Sequence, residues 1–271
     1  MRRLIWIVAI CVLTLTMAQG AEGHEPRTQA VKLPEQTGQS DLSAIRVAVL
    51  GDSMSWIGGD SCQNPRGWTH FLKLLANPKH IDIYARSGAT WTNTKTTRGD
   101  ISAYSEVLDD ENVLYPQALR LIKAAQADPS YSPELIFLYA GANDAWFFDK
   151  RPGIFDATRQ TSAQDVIPAE CTSLQYSIVL VCDTLRKAFP DARMVLMTPA
   201  EMTKAPVWRI RLVSEIIADT GRRLGLTVLR PDIDVDIRKE QESIILTNTS
   251  DGVHTNPRGA ELLARYVISK I

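Results

Sequence analysis

Apolar and polar positions along this 271-residue chain fall into two alternating regimes. Short apolar runs of strand length occur at Ile45–Leu50, Ile81–Ala85, Leu135–Ala140, Met194–Met197 and Thr227–Leu229. Between them, apolar residues return every three to four positions, as on one face of a helix. These helical stretches are Trp68–Leu75, Val113–Ala127, Ala163–Phe189, Pro206–Leu224 and Pro257–Ile271, with Pro168 as an alternative start for the third. Asn77-Pro78 ends the first, Gly225 is placed to cap the fourth, and Pro257 suits the first turn of the last. The stretch from Ile233 to Ser250 is ambiguous, with Ile244–Leu246 as a candidate short strand.

Strands that alternate with helices predict a parallel sheet covered on both faces. The reading is one α/β domain over residues 43–271, a three-layer α/β/α sandwich with a five-stranded, mostly parallel sheet. There is no internal repeat and no second apolar core. In an open sheet of this kind ligands bind at the carboxyl ends of the strands.

The N-terminal region does not fit the domain pattern. Arg2 and Arg3 precede an apolar run from Leu4 to Met17, and Ala18-Gln19-Gly20 follows with the spacing of a signal-peptidase site. Residues 1–20 are therefore expected to be a signal peptide and 21–42 a flexible polar leader. The apolar run is too short for a confident span, so no stable membrane insertion is expected after cleavage. The destination is outside the cytoplasm, periplasmic or secreted. An uncleaved anchor is the competing reading.

Composition is ordinary for a globular domain, with 45% hydrophobic and 23% charged residues. Formal net charge is -1 and gives no basic footprint for nucleic acid. Removing residues 1–20 also removes Cys11 and leaves Cys62, Cys171 and Cys182. Export permits a disulfide, though the count is odd. Cys171 and Cys182 fall on one expected helix, about 16 Å apart at about 1.5 Å per residue, too far to bridge. Cys62 with either partner stays open. No Cys or His spacing resembles a zinc site.

Candidate chemistry gathers at the strand ends. Gly51-Asp52-Ser53 follows the first strand, Gly88 the second and Gly141-Ala142-Asn143-Asp144 the third, while Asp251-Gly252-Val253-His254 precedes the last helix. A serine hydroxyl needs a base to become a nucleophile. His254 can take its proton, and Asp251, three residues earlier, can hold the other ring nitrogen. The backbone N–H groups of Ser53 and Gly88 and the Asn143 amide can serve as donors to an oxyanion. Asp52 and Asp144 read as acceptors that brace the loops. The competing reading makes Ser53 a helix cap and His254 structural.

In order and spacing these four blocks resemble the GDSL-type esterases of the SGNH hydrolase superfamily, over the chain from Ile45 to the C-terminus. The resemblance implies a flavodoxin-like fold, no cofactor or metal, and ester hydrolysis by Ser53, His254 and Asp251 with Gly88 and Asn143 in the oxyanion hole. One departure is Ala85-Arg86-Ser87, where the family often carries an asparagine before the glycine. The rival G-x-S-x-G signature is absent, since position 55 is serine.

Trp56, Trp91, Trp146 and Phe147 lie close in sequence to these motifs and are candidate substrate contacts, by stacking on sugars or holding an acyl chain. With the export signal they point to short acyl groups, such as acetyl, on carbohydrate as the substrate. Lipase, lysophospholipase or thioesterase chemistry at the same site is the alternative. A catalytically silent glycan-binding surface protein is the non-enzymatic one. Asn248-Thr249-Ser250 fits a glycosylation sequon but reads equally as the loop before Asp251.

Overall fold

The computed structural model describes residues 41–92, 113–151, 153–156, 172–235, 237 and 247–271. The elements follow the expected order. Strand β1 (Arg46–Gly51) leads into the single-turn helix α1 (Ser53–Trp56), then α2 (Trp68–Ala76) and β2 (His80–Ile83). Next come α3 (Leu114–Ala127), β3 (Leu135–Tyr139), α4 (Ala142–Trp146), α5 (Leu174–Ala188) and β4 (Arg193–Met197). The chain closes with α6 (Val207–Arg223), β5 (Thr227–Leu229), α7 (Pro231–Asp234) and α8 (Pro257–Ile268). The expected starts of the third helix at Ala163 or Pro168, the candidate strand Ile244–Leu246 and the N-terminal segments lie outside the described residues.

The five strands form one sheet in the order β2-β1-β3-β4-β5, and every pairing is parallel rather than mostly so. This order reverses direction between β1 and β3. The chain after β1 passes to one side of the sheet and the chain after β3 to the other, which opens a crevice at their carboxyl ends. Gly51 of β1 pairs with Tyr139 of β3 at that edge.

Two apolar layers hold the sheet. Ala48, Leu50, Ile136, Leu138 and Leu196 face one cluster, which α3, α5 and α6 supply with Leu121, Ile178, Val181, Val213 and Ile217. Val47, Val49, Phe137, Val195 and Met197 face the other, completed by Trp68 and Leu72 of α2 and Leu263 and Val267 of α8. The alternation along each strand thus sends neighbouring side chains to opposite layers. Burial on both faces explains why β3 reads as an unbroken apolar run. Fully burying each such side chain is worth about 1.5–3 kcal/mol.

Cys62 and Cys182 are buried free thiols in different apolar layers, so the open question of a bridge between these two is answered in the negative. Each thiol fills apolar space on its own side of the sheet. Cys171 lies outside the described residues, and α5 begins only at Leu174.

One buried polar side chain was hidden in the helix pattern. Gln117 of α3 is fully buried and clamps the end of β1, accepting from Gly51 N–H at 2.8 Å and donating to Gly51 C=O at 2.9 Å. Arg86 N–H also donates to that carbonyl, so only the Gly51 N–H depends wholly on Gln117. Gln117→Leu is therefore expected to lower stability by about 1–3 kcal/mol, the cost of one orphaned buried donor. A denaturant midpoint equal to that of the wild type would contradict this.

Candidate active site

The site is built from loops at the carboxyl edge of the sheet. Ser53 is the first residue of α1, so its N–H has no partner within the helix. Asp52 caps that helix by accepting from Met54 N–H at 2.9 Å, and its own N–H donates to Tyr139 C=O at 3.2 Å. Asp52 is fully buried, and this burial pushes its carboxyl up to about 7. Hydrogen bonds from Met54 and Ala142 work against the rise, and the charge of Asp144 adds to it. Asp52 thus ties the end of β1 to the loop after β3.

Asp144 performs the matching role for the loop after β2. It accepts from Trp91 N–H at 2.9 Å, Thr92 N–H at 3.0 Å and the Thr92 hydroxyl at 2.7 Å. Burial pushes its carboxyl up as well, against these bonds. Asn143, beside it, is buried and donates from Nδ2 to Ala89 C=O at 3.0 Å. That bond uses one of two amide hydrogens and holds Asn143 next to the Gly88 turn. Among the described residues neither the Ser53 N–H nor the Gly88 N–H has a hydrogen-bond partner.

His254 arrives from the opposite end of the chain. Its loop closes through a bridge between Thr249 and Thr255 and a bond from Ser250 N–H to His254 C=O at 2.8 Å. Gly252 adopts φ +77, and a Cβ there would lie 2.5 Å from the Thr203 methyl, so only glycine fits the turn. Gly259 in α8 lets the Asn248 carbonyl approach to where a Cβ would be 2.0 Å away. Asn248 itself is 3% exposed, so the sequon is loop packing and no glycan acceptor.

Asp251 ties this loop to the imidazole. Its Oδ1 accepts from His254 N–H at 2.7 Å and Val253 N–H at 2.9 Å, while Oδ2 lies 2.8 Å from His254 Nδ1. Burial works against the Asp251 carboxylate, but the imidazole and the two backbone donors outweigh it and hold its pKa below the usual value. His254 Nε2 lies 2.9 Å from Ser53 Oγ. A hydroxyl, an imidazole and a carboxylate thus form one hydrogen-bonded chain, which can carry a proton away from the oxygen.

Ser53 and His254 open into a cleft of about 430 Å³, whose wall includes Trp56, Asn64, Arg66 and Ser87. Of the four aromatic candidates only Trp56 lines it. Trp91 is fully buried in an apolar layer and Phe147 is 4% exposed, so both are core side chains that anchor the loops. Trp146 is half-buried and stacks on Phe147 at 5.6 Å, away from the cleft wall. Asn64 and Arg66 sit in an aperiodic loop with no motif around them, so nothing in the sequence signals either, while Ser87 adjoins Gly88 and its place beside that motif was the signal that could have found it. Among the described residues no cluster of His, Cys, Asp or Glu is placed to hold a metal ion.

Comparison with known proteins identifies the family and the fold. The model of the GDSL-like Lipase/Acylhydrolase family matches residues 49–262, from within β1 to the first half of α8. The chain belongs to this family. Its members are hydrolases that act on ester bonds. Solved structures share the fold at low identity. A Lactobacillus plantarum protein is 17% identical over 83% of this chain and 95% of its own, with a TM-score of 0.57. A candidate GDSL-like lipase from Parabacteroides merdae is 13% identical over 86% and 97%, at 0.54. An acetyl xylan esterase is 16% identical over 84% and 100%, at 0.50. A search of curated proteins finds no match.

The raised carboxyl of Asp52 predicts a pH dependence for this family member. Its folded pKa lies above the unfolded value of about 3.9, so the native state binds the extra proton between about pH 4 and 7. Its contribution to stability is therefore present at low pH and lost as pH rises through about 7. Asp144 is shifted in the same direction and adds to the slope. Asp52→Asn should flatten the fall in denaturant midpoint between pH 4 and 7. An unchanged slope would contradict the assignment.

Proposed function

We propose that the protein is an exported serine esterase that removes short acyl groups, acetyl foremost, from carbohydrate. The observation that carries the reading is the 2.9 Å approach of His254 Nε2 to Ser53 Oγ, with Asp251 2.8 Å behind the ring. Ser53 Oγ attacks the ester carbonyl as His254 takes its proton. The resulting tetrahedral oxyanion is met by the N–H groups of Ser53 and Gly88 and the second amide hydrogen of Asn143. Collapse expels the alcohol, which takes the proton from His254 and leaves Ser53 acylated. Water, deprotonated by His254, then releases the acid and restores the serine.

The small cleft beside Ser53 supports a short acyl group, and the half-buried Trp56 offers a ring to a sugar. The acetyl xylan esterase likeness carries the fold alone, so the substrate reading rests on the cleft. Export rests on the N-terminal sequence, Arg2-Arg3 followed by an apolar run and a small-residue site. Among the described residues no helix is long and apolar enough to cross a membrane.

Ser53→Ala is expected to abolish hydrolysis of 4-nitrophenyl acetate and of acetylated polysaccharide with the fold intact. His254→Ala should be almost as damaging and Asp251→Ala less so, measured as kcat/KM. Asn143→Ala should cost on the order of a hundredfold. Retained activity in Ser53→Ala would refute the mechanism, and a rate maximum at acyl chains of eight carbons or more would move the substrate to lipid. Expression with its N-terminus in a bacterial host should yield, by intact mass, an exported chain beginning near Ala21. A cytoplasmic product that retains Met1–Gly20 would overturn the export reading.

A further inference from the structure

The cleft that holds Ser53 and His254 also holds Arg66, and nothing in the hydrolytic scheme uses it. Its backbone N–H donates to Asn64 Oδ1 at 3.0 Å. Its carbonyl accepts from the Thr255 hydroxyl at 2.5 Å, and its Nη2 donates to the Ser250 hydroxyl at 2.9 Å. Ser250 and Thr255 belong to the loop that carries His254. Arg66 is therefore fixed relative to the imidazole, with little side-chain freedom left to lose when a ligand binds.

Two features of the guanidinium remain unaccounted for by this bracing. Its Nε is buried and has no acceptor. No carboxylate lies within ion-pair distance of it among the described residues. Nearby, Arg86 does pair with a carboxylate, Asp60 at 3.0 Å, and the Asp251 carboxylate lies 2.8 Å from the His254 ring. Arg66 thus places a guanidinium without an ion-pair partner on the cleft wall. A loop brace would need only a neutral donor to Ser250. An unmet donor on a charged, partly desolvated group is costly, and a bound acceptor would remove that cost.

We propose that Arg66 is a specificity residue that binds a carboxylate on the substrate, so that the preferred ester sits on an acidic sugar unit. A carboxylate suits the planar fork of a guanidinium better than a point cation would. The sugar then lies across the cleft with its acyl carbonyl at Ser53 and its acid at Arg66. Trp56, on the same wall, covers its apolar face. This rests on the esterase reading above and adds the identity of the alcohol.

The test compares O-acetylated uronic-acid oligosaccharides with free carboxylates against the same sugars with the acids converted to amides. The readout is the ratio of kcat/KM for the two forms. In the wild type the ratio should favour the free acid by about tenfold to a hundredfold, as for a hydrogen bond to a charged group, and should shrink as salt is added. Arg66→Gln should bring the ratio close to one, and Arg66→Lys should restore part of it. A wild-type ratio near one would overturn the proposal. A ratio in Arg66→Gln equal to that of the wild type would also overturn it, because uniform slowing is the sign of a brace for the His254 loop. Ser53-dependent cleavage of 4-nitrophenyl acetate separates the two levels. If that ester is hydrolysed and neither sugar is, the substrate assignment alone fails; if it is not, the esterase reading fails too.

Discussion

The hydrogen bond between Ser53 Oγ and His254 Nε2 joins groups 201 positions apart in the chain, and the account of the site depends on it. Neither side chain can reach the other by local geometry. One is held by the end of the first strand and the other by the loop before the last helix. The sheet supplies the first placement, because β1 lies at the point where strand order reverses and its carboxyl end faces an open crevice. The packing of α8 beside α2 supplies the second, by carrying the His254 loop back to the same edge.

Buried polar groups make these placements rigid. Gln117 holds Gly51 in place of a sheet neighbour, Asp52 links the β1 and β3 loops, and Asp144 fixes the backbone beyond Gly88. Burial makes both carboxyls costly when ionised, which is why both are pushed up in pKa, and the charge of Asp144 adds to the rise at Asp52. That cost lies beside Ser53, and perturbed groups of this kind cluster at functional sites. Asp251 differs: it is half-exposed, well supplied with donors and held ionised, as an orienting carboxylate needs to be.

The fold was legible because each strand is bounded by turn residues and each helix shows its own period. The four chemical blocks were legible because they fall directly after strands or before a helix, where sheet topology alone brings them to one edge. The braces Asp52 and Asp144 were also readable as loop acceptors. Other features left no mark. Gln117 sits on the inner face of α3, where the helical period calls for an apolar residue, and only the register of α3 against β1 explains it. Aromatic residues near motifs were ambiguous for a physical reason: the same loop that reaches a ligand must be anchored in the core. Trp91 and Phe147 are such anchors, and Trp56 faces the cleft. The pairing of Cys62 with Cys182 stayed open because sequence does not say which face of the sheet each one meets. Arg66 acquires meaning only from what surrounds it in space.

The central claim is that Ser53 is a nucleophile activated by His254, and covalent trapping tests it most directly. The intact protein is treated with a fluorophosphonate, weighed, and digested to locate the adduct. The account predicts a single phosphonyl group on Ser53, formed at a rate that falls steeply in His254→Ala. An unmodified protein, or an adduct on any other residue, would contradict it.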